Sequence, residues 1–155
     1  MDIRWPLFLH LLGAFLFVGG SLTAAVLRLA AIGRERPSEQ ATLLRAIRPA
    51  IPLVGGGFLV TIGAGFWLVE RLGLEFDAVW LSATFALVGW LLVVGALAGR
   101  ADRKTRELAE RLAAEGDTTS DELRKRLRDP VVLAANASLL VATLAIVALM
   151  VWKPS

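Results

Sequence analysis

Four apolar runs divide this chain of 155 residues, at roughly 5–27, 49–69, 78–99 and 130–152, and none carries Asp, Glu, Lys or Arg in its interior. Each is long enough to cross the hydrocarbon of a bilayer, which takes about 20 helical residues. A backbone inside lipid must satisfy its own hydrogen bonds, so such runs are helices. The pattern predicts an all-α integral membrane four-helix bundle forming a single transmembrane domain over 1–155. A hydrophobic content of 56% and a mean hydropathy of +0.64 agree with that class. The chain has no cysteine, which excludes disulfides, thiolate metal sites and cysteine nucleophiles. The first run, with Arg4 before it and small residues at Thr23–Ala25, has some features of a cleavable leader. Its length and its histidine favour a retained span.

Charge sets the expected orientation. The segment 28–48 carries arginines 28, 34, 36, 45 and 48, and the segment 100–129 carries nine Lys/Arg and eight Asp/Glu. Only Arg4, Arg71 and Lys153 fall on the opposite side. The positive-inside rule then places both basic segments in the cytoplasm and both termini outside. Trp5, Trp67, Trp80 and Trp152 all fall at span ends assigned to the outer surface, as an interfacial belt of amphipathic indoles requires. Trp90 lies midway along the third span. The net charge of +3 reflects this orientation. Without aromatics among the arginines, nucleic acid is not an expected partner.

The basic segments have helical patterns of their own. Pro37-Ser38-Glu39 is a helix start, and Leu43, Leu44 and Ile47 share a face, which predicts a short interfacial helix on anionic lipid or, equally, a solvated loop. In 100–129, the pairs Arg103–Glu107, Arg106–Glu110 and Glu107–Arg111 stand at i,i+4. Gly116-Asp117 breaks that helix, and Thr119 with Glu122 reads as a capping box for a second. Leu108, Leu112, Leu123 and Leu127 are its apolar stripe. The expectation is a cytoplasmic helical hairpin between spans three and four, either a partner-binding stalk or a plain connector.

Lipid gives no hydrophobic drive between helices, so close packing needs small side chains. Gly13, Gly20 and Ala24 offer such a seam on span one. Gly57, Thr61 and Gly65 do so on span two, Ser82, Ala86 and Gly89 on span three, and Ser138 and Ala142 on span four. The same seams suit a homodimer. The triple glycine 55–57 lacks the Lys-Ser/Thr of a phosphate loop. The sequon at Asn136 lies inside a span.

The chain's single histidine, His10, shares a helical face with Gly13, Phe17, Gly20 and Ala24. A polar group at that depth needs a partner. Three readings stand: an interhelical hydrogen bond, for instance to Ser82 or Thr84; ligation of haem iron or copper, for which Met150 is a conceivable second donor; or a proton relay.

The stretch His10-Leu11-Leu12-Gly13-Ala14-Phe15-Leu16-Phe17-Val18-Gly19-Gly20 resembles the first span of a family of small bacterial four-helix membrane proteins of unknown function. The ending Met150-Val151-Trp152-Lys153-Pro154 resembles that family's close. The family is similar in turn to the copper-resistance protein D group and to the small membrane protoporphyrinogen oxidases. In those proteins a histidine near the start of span one is followed by small residues and an aromatic. The resemblance implies a bacterial inner-membrane protein, and makes His10 the position at which haem b or copper would be held. The lysine of the oxidases' later span has no counterpart in spans two to four. Lacking an acid/base pair, a nucleophile or a complete metal site, the sequence reads as a non-enzymatic scaffold or interaction protein with His10 buried in the bundle. The alternatives are a haem- or copper-binding protein with His10 as ligand, and a small transporter or proton-relay subunit.

Overall fold

The computed structural model describes residues 3–74 and 78–152. They form six helices and, among the described residues, no strand: α1 (Arg4–Ile32), α2 (Pro37–Ala46), α3 (Ala50–Leu72), α4 (Val79–Ala114), α5 (Asp121–Leu127) and α6 (Pro130–Trp152). Four helical stretches are long and apolar enough to cross a membrane.

The turns follow local chemistry. α3 ends at Gly73, which takes the left-handed conformation (φ +62°), and Leu74 N–H donates back to Val69 O at 3.0 Å. This is the Schellman closure that glycine makes without steric cost. Gly116 (φ +120°) and Asp117 (φ +56°) close α4 the same way, with Asp117 N–H donating to Leu112 O. Ser120 caps α5 by accepting from Leu123 N–H at 3.2 Å, one residue later than the expected cap at Thr119. Asp129 Oδ1 accepts from Val131 N–H in the first turn of α6.

The long helices pair as two antiparallel hairpins, α1 on α3 and α4 on α6. The first is the closer. A Cβ added to Gly13 would stand 2.7 Å from Gly57 O and from Thr61 N. One added to Gly57 would stand 2.7 Å from Gly13 O and from Phe17 N. The backbones touch, and no larger residue fits either place. Gly20 meets Val54 two turns further along, and Phe17 packs on Phe58 with ring centroids 5.3 Å apart. In the second hairpin Trp90 Nε1–H donates to Ser138 Oγ at 3.3 Å, and the Ser138 hydroxyl donates to Ala135 O. Ala142 is buried there. Leu81, Thr84, Leu91 and Ala98 are the buried positions along the apolar part of α4, whereas Ser82, Ala86 and Gly89 lie exposed.

The tightest apolar packing lies at the charged end. Ala31 of α1, Ala41 and Leu44 of α2, Leu108 and Ala109 of α4, and Leu123 and Leu127 of α5 form one buried cluster, with Leu43 and Ile47 against it. The apolar face of α2 thus packs on protein and not on lipid. α4 and α5 supply the apolar surface it needs, and the exposed Arg45 reaches Glu110 of α4 at 3.1 Å. We refer to α2, the second half of α4 and α5 as the cap. Arg28, read from the sequence as a loop residue, belongs to α1 and is only 4% exposed. Its Nη1 donates to Asp102 Oδ1 of α4, joining the two hairpins. Its Nε and Nη2 have no hydrogen-bond partner among the described residues.

Asp117 holds the first turn of α2 from outside the helix. Its carboxylate accepts from the Ser38 hydroxyl and from Ser38 N–H, each at 2.7 Å. The hydroxyl bond, then the backbone bond, and then the charge of Arg36 draw its pKa below the ordinary carboxyl value. A carboxylate favoured by folding stabilises the fold above its unfolded pKa, and that contribution fades as pH falls through the lowered folded value. Asp117→Ala is therefore expected to melt below the parent protein at pH 7. In thermal melts in detergent, the gap is expected to narrow once the pH drops below about 4.

Candidate functional site

The seam of α1 that carries His10 is the face turned to α3, which the Gly13–Gly57 contact brings within backbone distance. His10 Nδ1 lies 2.8 Å from Thr61 O. A carbonyl only accepts, so Nδ1 carries the proton, and in the neutral ring Nε2 carries the lone pair. The interhelical bond expected of His10 thus goes to a backbone carbonyl on α3. It does not go to a hydroxyl of the third span: Ser82 is exposed, and Thr84 Oγ1 donates to Trp80 O within its own helix.

Thr61 O is reachable because of what stands one turn later. A helical carbonyl keeps a second lone pair after its intrahelical bond. The residue at 65 is glycine, so no side chain covers it. A Cβ there would lie 3.3 Å from His10 Cε1 and Nδ1, against that edge of the ring. The Thr61 hydroxyl turns back to donate to Gly57 O at 2.8 Å. Gly57, Thr61 and Gly65 therefore act together: the first admits α1, the second supplies the acceptor and the third clears the way to it.

His10 also lines a cavity of about 260 Å³ between the two hairpins, at the end that carries the chain termini. Thr61, Phe66, Trp80, Thr84, Phe85 and Met150 are among its walls. Phe66 of α3 and Phe85 of α4 stack on each other beside it, with centroids 5.3 Å apart and planes inclined by 20°. Among the described residues Nε2 of His10 has no hydrogen-bond partner. Trp5 and Trp152 lie well exposed at this end, with Trp67 and the more covered Trp80. Arg71 stands over the Trp67 ring at 6.0 Å. Ala24 is half-buried further along the α1 seam.

Two contacts of the structure were not evident from the sequence. Arg28 was hidden because α1 runs five residues past the apolar stretch. The Trp90–Ser138 bond had a usable signal: an indole N–H in mid-span must find an acceptor, and Ser138 stands at the matching depth in the antiparallel partner.

Replacing His10 by Leu removes one interhelical hydrogen bond and leaves Thr61 O its intrahelical partner. The expected loss is about 1 kcal/mol, the scale measured for such bonds in membrane proteins. Unfolding of the detergent-solubilised protein measures it, and an unchanged stability would mean that the bond does not form.

The family model described as predicted integral membrane protein (DUF2269) matches residues 6–154. No curated protein and no solved structure gives a match. A match over nearly the whole chain, on a fold of four membrane-length helical stretches, places this protein in the DUF2269 family of predicted integral membrane proteins.

Proposed function

We propose that the chain is a non-enzymatic scaffold of the bacterial inner membrane, whose four spans hold the helical cap at the cytoplasmic face for a protein partner. One observation carries this reading. The segments between spans one and two and between spans three and four do not run as loose connectors. They fold on each other around a shared apolar core, in which Ala109 and Leu123 are fully buried. A connector has no need of a core. The outer surface of the cap is dense in charge of both signs, with Arg103–Glu107 and Arg126–Glu122 paired at 2.8 Å. Such i,i+4 pairs stabilise little and keep a helix face solvated and rigid.

The orientation, with both termini outside, rests on the basic residues gathered at the cap end and on the tryptophans at the other. Ser82, Ala86 and Gly89, exposed on α4, are the face on which a second copy would pack.

Haem or copper at His10 meets two limits. The imidazole is well oriented for a ligand, with Nδ1 tied to a carbonyl. The cavity of about 260 Å³, however, falls below the roughly 300–1,000 Å³ of pockets that enclose drug-sized molecules, and a porphyrin belongs at the upper end of that class. For copper the cavity brings His10 and Met150 together, two donors where a blue-copper site has three strong ones. No group of three His, Cys, Asp or Glu stands together among the described residues. The residues present do not fit either group as an enclosed site, and the proposed function does not pass through one.

A photo-crosslinking residue placed at Lys104, Arg111 or Arg124 is expected to trap one discrete protein partner in intact cells, whereas one placed at Val141 traps none. A cysteine at Thr118 is expected to stay shielded from an impermeant thiol reagent. Labelling at Thr118 overturns the orientation, and crosslinks equally frequent at Val141 overturn the cap as the working surface.

A further inference from the structure

The cavity between the hairpins has a chemical bias that the scaffold reading does not use. Three of its wall residues bear polar side chains whose protons are already committed to helix carbonyls. His10 Nδ1–H is given to Thr61 O, the Thr61 hydroxyl to Gly57 O, and the Thr84 hydroxyl to the carbonyl one turn back. What these side chains offer to an occupant is lone pairs, and the strongest acceptor among them is Nε2 of His10. A molecule that only accepts hydrogen bonds finds no match among these three side chains, whereas a hydroxyl donor does.

Size and wall chemistry narrow the class further. A dry apolar cavity of about 150 Å³ is enough to take benzene, and this one measures about 260 Å³. It therefore has room for one substituted aromatic ring. Phe66 and Phe85 line it as a stacked aromatic pair, and both are partly exposed, so that a tail attached to the ring has a way out between them and the bilayer.

We propose that the cavity binds the ring of a membrane-soluble phenol or hydroquinol, with a ring hydroxyl donating to Nε2 of His10. The association is a hydrogen bond and an aromatic contact, and no bond is made or broken. It is independent of the scaffold role, because the cap lies at the other end of the helices.

The test uses the full chain in detergent, with 4-hexylphenol and its methyl ether 4-hexylanisole as probes, titrated calorimetrically against a micelle-only blank. The two share a ring and a tail and differ in the donor. The phenol is expected to bind about tenfold more tightly than the ether, the value of one neutral hydrogen bond, and His10→Leu is expected to reduce that preference to less than about twofold. Val88→Trp keeps His10 in place, fills part of the cavity, and is expected to remove saturable binding of both probes; Val88 is one of the wall residues. Equal affinities in the parent protein overturn the proposal. So does a preference that survives His10→Leu, or saturable binding unchanged in Val88→Trp. Should His10→Leu fail to fold, the parent comparison and the Val88 variant decide the matter alone.

Discussion

At one crossing two backbones touch, where Gly13 of α1 and Gly57 of α3 meet with no side chain between them. In lipid, helices gain nothing from hiding apolar surface, and association depends on packing and hydrogen bonds. Dispersion falls off within an ångström, so contact at this range is worth having only where both helices lack a Cβ. Everything at the terminal end follows from the crossing. It sets the register of α1 on α3, the register sets His10 opposite Thr61, and Gly65 leaves the carbonyl open to it. A shift of one residue would turn the imidazole to lipid with its donor unmet.

The second hairpin is held to the first by different means at its two ends. At the charged end, Arg28 reaches Asp102 and the cap closes over an apolar core, with Asp117 fixing the start of α2. The cap closes on a buried apolar core, and burial of that kind draws on the hydrophobic effect wherever water is the alternative. At the terminal end, contact between the hairpins includes the Phe66–Phe85 stack beside the cavity. The molecule is thus fastened by an apolar core at the charged end and more open beside the cavity at the other.

Much of this was legible in the sequence for simple reasons. Span length is fixed by bilayer thickness, so four apolar runs could be counted directly. The seam of His10, Gly13, Phe17 and Gly20 follows from helical period alone, and these residues do face α3. The partner of His10 was not legible, because it is a backbone carbonyl, and no residue type announces one. What marked it was an absence of side chain at Gly65, one turn beyond. Arg28 looked like a loop residue because charge ends an apolar run without ending a helix. The apolar face of α2 was visible, but whether it meets lipid or protein depends on where α4 and α5 lie, which no local pattern records. On α4 the small residues Ser82, Ala86 and Gly89 turn outward while Leu81 and Leu91 turn inward. A stripe of small residues marks a surface able to pack, not one that does.

The central claim is that the Gly13–Gly57 crossing determines the fold of the spans. A comparison of alanine substitutions tests it most directly, through unfolding free energies in detergent. Gly13→Ala and Gly57→Ala place a methyl group 2.7 Å from backbone atoms that cannot step aside, and each is expected to cost about 1–3 kcal/mol. Gly63→Ala, where nothing stands within 4 Å, is expected to be neutral or to stabilise by up to about 1 kcal/mol through helix propensity. Equal responses at all three positions would contradict the account.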